Sequence, residues 1–337
     1  MKQDNNTINK IEYNYVDYIK FFFAVIVVLS HICDVYGINS LLGRIIKFIT
    51  LIAVSYYFIA SSFFLFKGNV SKAKIIKYIK RILILYTFWT VTFLPFRISE
   101  IMTIGFDFKG ILIYILKYIR IFLFIGEYQL WFLVGTLWAL FMILIFRKIN
   151  FNEKMIAVVA VIMFMLMQAI DLELLPYNNI FATLWKVYFT FFGTTRNGIF
   201  VGFIYMTMGL LVANNVQLQN INRKILSAIS ILLLVFGGVL FIKAYTIETW
   251  LLPAIVIVIF LWSINSGTTE EGSAFAKIAR QYSTLIYVSH MTILEGLLCI
   301  GKLNIVVECI VVLGVTIAIA WVVTAASKKI RWLRYVY

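Results

Sequence analysis

Three polar side chains, Asp17, Lys20 and His31, share the otherwise apolar segment DYIKFFFAVIVVLSHI (17–32). In a helix, the eleven residue steps from Lys20 to His31 return to nearly the same face, and Asp17 lies within about 60° of it. The helical rise separates Lys20 from His31 by about 16 Å along the axis. The spacing therefore predicts a polar stripe that lines one channel, with Lys20 towards the cytoplasm and His31 towards the outside.

The chemistry of this stripe depends on His31, one of only two histidines in the chain. A neutral imidazole can accept a proton near physiological pH, so His31 is a candidate general base for activating a hydroxyl. Two plainer interpretations remain open. His31 can serve as a hydrogen-bonding group between helices, and Lys20 can extend its ammonium to the lipid headgroups.

The composition indicates the elements that must position these groups. The chain of 337 residues is 63% hydrophobic and 13% charged, whereas a soluble protein carries roughly a quarter charged residues. Its continuous apolar runs suit membrane-spanning helices better than the short alternating strands of a barrel. We predict an all-α, multi-pass membrane protein with about ten transmembrane helices. The predicted spans are 17–36, 46–66, 82–96, 130–146, 155–170, 197–213, 225–243, 249–264, 282–300 and 304–326.

One further apolar segment, 111–125, is interrupted by Lys117 and Arg120, so we predict an amphipathic helix at the interface. With ten spans and both termini in the cytoplasm, 19 of the 30 Lys and Arg residues fall on the inner side, as the positive-inside rule requires. This distribution explains most of the net charge of +15 without nucleic acid. It predicts a cytoplasmic lead over 1–16, one transmembrane domain over 17–326 and a basic cytoplasmic tail over 327–337.

Further candidate residues lie near the ends of other spans. Tyr287 and His290 share a helix face at i, i+3, either as a site or as a structural polar cluster. Arg196 and Asn197 lie at the outer mouth of a helix whose Gly198 and Gly202 allow close packing, and the arginine either binds a substrate oxygen or extends to the interface.

Two more features are open to more than one interpretation. Glu127 and Trp131 lie at the outer edge of another span, where tryptophan is a common interface anchor. The basic run KGNVSKAKIIKYIKR (67–81) serves membrane topology and anionic lipids, or the phosphates of a nucleotide-like donor, or both. The three cysteines form no CxxC pair, and we predict no metal site.

Taken together, five segments resemble the motifs of the membrane acyltransferase-3 family, in the same order along the chain. DYIKFFFAVIVVLSHI resembles the first-helix motif, in which ten residues separate a basic residue from a histidine. SSFFLFKG (61–68) resembles the end of the second helix, with Ser62 in place of the usual glycine. The other three are QLWFLVGTLWAL (129–140), TTRNGIFVGFIYMTMG (194–209) and ARQYSTLIYVSH (279–290).

The resemblance implies acyl transfer from a cytoplasmic acyl-CoA to a hydroxyl of an extracytoplasmic or lipid-linked glycan. His31 would be the catalytic base, with Asp17 and Lys20 in the same catalytic motif and Lys20 beside the donor path. Acyl-CoA is implied as co-substrate, with acetyl the common choice and succinyl an alternative, and no cofactor is bound. The implied substrate-binding residues are Arg196, Asn197, Glu127, Trp131, Tyr287 and His290. The implied acyl-CoA-binding residues are Ser62, Lys77, Lys80 and Arg81, the last three standing where the family has an RxxR signature.

Two other functions fit the same sequence. A transporter or exporter of a surface polysaccharide or small substrate would use the same intramembrane charges along its path. A membrane partner in a polysaccharide synthase or export complex would need neither His31 nor Lys20. In each case we expect a multi-pass protein of the plasma membrane, in contact with lipid and not with nucleic acid.

Overall fold

The computed structural model describes residues 12–104, 108–174, 180–244, 248–267 and 273–337. Residues 1–11 of the predicted cytoplasmic lead lie outside the described part. Thirteen α-helices occur in the described part. In chain order they are α1 (Asn14–Val35), α2 (Leu41–Phe66), α3 (Lys72–Val91), α4 (Leu94–Ile104), α5 (Phe108–Arg120), α6 (Trp131–Lys148), α7 (Glu153–Asp171), α8 (Ile180–Phe192), α9 (Phe203–Asn214), α10 (Arg223–Ala244), α11 (Glu248–Asn265), α12 (Ala274–Ile300) and α13 (Ile305–Ala326).

The helices confirm an all-α, multi-pass membrane protein. Seven described helices are long and apolar enough to cross a bilayer, and α3 with α4 makes an eighth crossing if this pair, bent by 45°, is one span. The two remaining predicted spans fall on shorter apolar helices, Gly198–Asn214 and Leu251–Asn265. At 1.5 Å per residue, both are shorter than the roughly 30 Å hydrocarbon core. The count of ten crossings therefore stays a prediction.

The ends of three helices meet on one side of the bundle, which fixes their relative directions. The Arg147 guanidinium at the end of α6 lies 4.8 Å from the ring centroid of Phe66, the last residue of α2. The same arginine pairs with Glu153 at the start of α7 at 3.1 Å. Glu153 also accepts a hydrogen bond from Asn214, the last residue of α9. Helices α2, α6 and α9 therefore run in the same direction.

This common direction limits what the connecting segments can do. Between the end of α2 and the start of α6 the chain must return to the opposite side, and the α3–α4 pair is the described segment between them that is long and apolar enough to do so. If that pair crosses once, α5 adds no net crossing; the interface helix over 111–125 stays a prediction. By the same argument α7 makes the crossing that precedes α9, and α8 adds none. We made no prediction for α8 from the sequence.

Small residues allow the central helices to approach closely, as predicted for Gly198 and Gly202. Gly198 begins a π-helical turn over 198–202 before α9 and packs against Gly135 of α6. A Cβ atom on Gly198 would lie 2.2 Å from the carbonyl oxygen of Gly135. Since real Cβ atoms do not come so close, only glycine fits there without movement. This contact fixes the loop that carries Arg196 against α6.

Candidate functional site

Helices α1 and α12 lie side by side, and an ion pair joins them near their starts. The buried carboxylate of Asp17 accepts hydrogen bonds from Arg280, with Nε at 3.1 and 3.0 Å from its two oxygens and Nη2 at 2.7 Å. Arg280 also pairs with Glu12 at 2.5 Å. Asp17 is therefore fully engaged in holding α1 to α12. A charge-assisted, multidentate arrangement of this kind gives geometric specificity.

Lys20 lies one turn further along α1 from Asp17. The Lys20 ammonium lies 5.1 Å from the ring centroid of Phe64. The Tyr57 hydroxyl donates a hydrogen bond to the Lys20 backbone carbonyl at 2.6 Å. Within the described residues, Lys20 has a cation–π contact and no ion pair. The side chain is half-buried. A partly dehydrated cation without a carboxylate partner is suited to meeting an anionic or polarised ligand group.

Further along the same helix pair, the two histidines of the chain meet. The ring centroids of His31 and His290 lie 5.2 Å apart, with the planes tilted by 34°. His290 is fully buried, and its Nδ1 donates to the Ile286 carbonyl at 3.1 Å, which leaves Nε2 without a hydrogen-bond partner. His31 is half-buried and makes no hydrogen bond with any described residue. The predicted base therefore has an uncommitted imidazole.

His31 lines a cavity of about 690 Å³ inside the helix bundle. The cavity brings together His31, Trp131, Arg196 and Tyr287, which the sequence analysis named from separate motifs as catalytic or substrate-binding candidates. Lys20 does not line it, so the structure does not join Lys20 and His31 in one cavity. Other polar residues in the wall are Ser30, Asp34, Lys47, Thr50, Ser55, Gln129, Gln168, Asp171, Thr194, Thr195 and Tyr205.

Arg196 lines the cavity, and its neighbour Asn197 holds the loop that carries it. The Arg196 side chain is exposed, and its backbone N–H donates to the Thr194 hydroxyl at 3.1 Å. Asn197 does not line the cavity. Its side chain accepts from the Ile199 N–H at 2.9 Å and donates to the Thr194 carbonyl at 2.7 Å. Asn197 therefore caps the π-helical turn and holds the Arg196 loop in place.

The structure places Glu127 away from the cavity. Glu127 is 1% exposed and pairs with Arg97 at 2.6 Å, and Arg97 also pairs with Glu100 at 2.5 Å. This network ties the segment before α6 to α4. Tyr287 does line the cavity, and its hydroxyl donates to the backbone carbonyl of Gln129.

The residues expected at the donor site lie in two different environments. Ser62 is fully buried and donates to the Met206 carbonyl at 2.5 Å, so it packs α2 against α9. Lys77, Lys80 and Arg81 are exposed on α3. Arg81 donates to the backbone oxygen of Tyr337 at 2.8 Å, so the tail lies against the basic face of α3.

A third lysine of the basic run, Lys67, follows directly after α2. Its ammonium lies 4.3 Å from the ring centroid of Tyr13 and 5.1 Å from that of Phe63. Burial lowers the pKa of Lys67 from its ordinary value. Binding an anion is more favourable in free energy for such a partly dehydrated ammonium than for a fully hydrated one.

Sequence reasoning missed several polar residues of the cavity. Gln129 lies inside a recognised motif, yet only Trp131 was selected from it. Gln168 is 1% exposed near the end of a predicted span, and a polar residue in an apolar run was the available signal. Asp171 accepts from the Thr195 hydroxyl at 2.8 Å, and Asp34 pairs with Lys47 at 2.8 Å. Each pair joins two different structural elements, so spacing within one helix could not indicate it.

A helical bundle with an internal polar cavity and an unpaired histidine is typical of a multi-pass membrane protein with a functional site inside the bundle. A family model described as an acyltransferase domain, Acyl_transf_3, matches residues 13–325. The chain therefore belongs to the acyltransferase-3 family, and the resemblance of its motifs is confirmed. It is a membrane acyltransferase. No curated protein and no solved structure matches the chain.

Proposed function

We propose that the protein transfers an acetyl group from cytoplasmic acetyl-CoA to a hydroxyl of an extracytoplasmic or lipid-linked glycan at the plasma membrane. The observation that carries the proposal is His31, half-buried, without a hydrogen bond, in the wall of a 690 Å³ cavity. A general base must reach its proton directly, and an uncommitted imidazole beside open space meets that condition.

The proposed reaction uses one proton transfer at His31. The imidazole removes the proton of the acceptor hydroxyl as its oxygen attacks the thioester carbonyl. The new C–O ester bond forms and the C–S bond breaks, after which the imidazolium returns its proton to the sulfur of the departing CoA. We assign stabilisation of the developing oxyanion to the Arg196 guanidinium, which lines the same cavity as His31.

Acyl-CoA cannot cross the bilayer whole because its phosphates are charged. We propose that its head binds on the inner side, at the basic run that includes Lys67, Lys77 and Lys80. The acyl-bearing arm then extends towards His31, and a path past Lys20 must open for it, because Lys20 does not line the cavity of His31. The tail contact of Arg81 places one cation of this run beside the backbone oxygen of Tyr337, so donor binding and tail docking share one surface.

A transporter is the second candidate, because a polar cavity inside a helical bundle is also what a transport path requires. Purified protein in proteoliposomes separates the two functions. Acetyl-CoA carrying a labelled acetyl group is supplied on one side with a mixed glycan extract on the other, and free CoA thiol and labelled ester are measured together. We expect CoA release with formation of labelled ester. Movement of glycan across the bilayer without CoA release would instead establish transport.

A further inference from the structure

The cavity wall contains two buried glutamines whose amide groups are incompletely paired. Gln129 is 2% and Gln168 is 1% exposed. Gln129 Nε2 donates to the Val288 carbonyl at 2.9 Å, which fixes its amide and leaves Oε1 as an acceptor without a partner. Gln168 Nε2 is a donor without a partner. A buried polar group left unpaired costs about 1–3 kcal/mol, so a ligand that pairs both is bound more tightly.

The chemistry of these two atoms selects hydroxyl groups. Gln129 Oε1 needs a donor, whereas Gln168 Nε2 needs an acceptor. A hydroxyl group can serve as either. A carboxylate or phosphate offers acceptors only and would leave Gln129 Oε1 unpaired. An ammonium offers donors only and would leave Gln168 Nε2 unpaired.

The charges of the cavity wall favour an uncharged ligand as well. Among the described residues that line it, the ionised side chains are Asp34, Lys47, Asp171 and Arg196, two of each sign. Asp34 and Lys47 neutralise each other at 2.8 Å. The wall therefore has no surplus cation for an anionic polymer. The half-buried indole of Trp131 adds an apolar surface for a sugar ring.

We infer that the cavity binds an uncharged, hydroxyl-rich pyranoside, and that Gln129 and Gln168 determine this specificity. The role of that pyranoside as the acyl acceptor depends on the proposed function, whereas its binding does not. One hydroxyl of the sugar donates to Gln129 Oε1 and another accepts from Gln168 Nε2. A site built to pair hydroxyls strongly disfavours analogues that lack them.

Sugar binding to the purified protein in nanodiscs tests this inference. The probes are methyl glucopyranoside and methyl N-acetylglucosaminide, with methyl glucuronide as the anionic analogue, and dissociation constants come from ligand-observed NMR. We expect the uncharged sugars to bind and the glucuronide to bind at least about tenfold more weakly, a difference of about 1.4 kcal/mol. Gln129→Leu and Gln168→Leu should each weaken binding by about tenfold or more. The exposed Gln217→Leu serves as the matched control and should bind as wild type does.

Three results would overturn the inference: tighter binding of the glucuronide, unchanged sugar binding in both cavity variants, or no binding of either uncharged sugar. CoA release from acetyl-CoA, measured on the same preparation, separates this test from that of the proposed function. If sugars bind through the glutamines but no CoA is released, the binding site stands and the proposed transfer from acetyl-CoA fails.

Discussion

The two ends of the contact between α1 and α12 differ in how their polar groups are paired. At one end Asp17 receives three hydrogen bonds from Arg280, and no oxygen of Asp17 is left over. At the other end the ring centroids of His31 and His290 lie 5.2 Å apart, and the buried Nε2 of His290 has no hydrogen-bond partner. The same two helices thus carry a closed polar cluster and an open one. Closed clusters hold a fold, whereas unpaired groups beside a cavity are available for chemistry.

The largest effect is expected at the open end. His31→Gln should lower kcat for acyl transfer by about 10²- to 10⁴-fold, the usual contribution of a positioned general base, because glutamine cannot take up the proton. The measurement is CoA release per folded molecule in nanodiscs. Leu29→Ala, two residues away on α1 and not in the cavity wall, is the control. A variant that keeps half of the wild-type kcat would show that His31 is only structural.

A change at the closed end should act on stability. Asp17→Asn should lower the free energy of unfolding by about 1–3 kcal/mol, since the charged bonds to Arg280 are lost. The loss falls short of that for a fully buried pair because the Arg280 side chain is 44% exposed. Thermal unfolding of the two single variants and the double variant with Arg280→Gln measures the coupling. Asp34→Asn, in the more exposed pair with Lys47, should cost less than about 1 kcal/mol.

Equal losses of stability in Asp17→Asn and Asp34→Asn would contradict the contrast between a buried pair and an exposed one. A loss of kcat in Asp17→Asn without any loss of stability would instead place Asp17 in the catalytic machinery, as the sequence analysis expected.

The packing of α6 against the Arg196 loop should be sensitive to a single methyl group. Gly198→Ala should cost about 1–3 kcal/mol, because the added Cβ would overlap the Gly135 carbonyl. Gly314→Ala in α13 is the matched control. A Cβ there meets nothing within 4 Å, and alanine is the better helix former, so that variant should be neutral or slightly stabilised. Equal unfolding temperatures for the two variants would contradict the packing described here.

The smallest effect is expected on the exposed face of α3. The double variant Lys77→Gln and Lys80→Gln should raise the KM for acetyl-CoA a few fold and leave kcat nearly unchanged. Each exposed charge contributes at most about 1 kcal/mol, and salt screens it. The KM difference from wild type should therefore shrink at high ionic strength. Lys328→Gln in the tail controls for a general loss of positive charge, and an equal KM change there would remove α3 from the donor site.

The sequence predicted the parts of this molecule that depend on local pattern. Apolar runs and charge bias indicated the ten helical segments, because hydropathy is read along the chain. The spacing within 17–32 identified His31 for the same reason. The position of 111–125 at the interface stays a prediction. The pairing of Asp17 with Arg280 was missed, because 263 residues separate them and only tertiary packing brings them together.

The composition of the cavity wall also depends on tertiary packing that the sequence did not show. Trp131, Arg196 and Tyr287 were named from separate motifs, yet nothing in the sequence showed that they face one space with His31. Glu127 and Asn197 come from those same motifs, but the structure uses them in an ion pair and a helix cap. A motif thus indicates which residues to consider, whereas packing decides which of them reach the cavity.

The central claim is that His31 takes the proton of the acceptor, and rescue of a His31→Gly variant tests it most directly. The measurement is the rate of CoA release in the presence of added imidazole and substituted imidazoles small enough for the vacated side of the cavity. The account predicts a nearly inactive variant whose rate rises with the concentration and basicity of the added base, while wild type is unaffected. A variant that is fully active without any added base, or one that no base restores although the folded protein still binds acetyl-CoA, would contradict it.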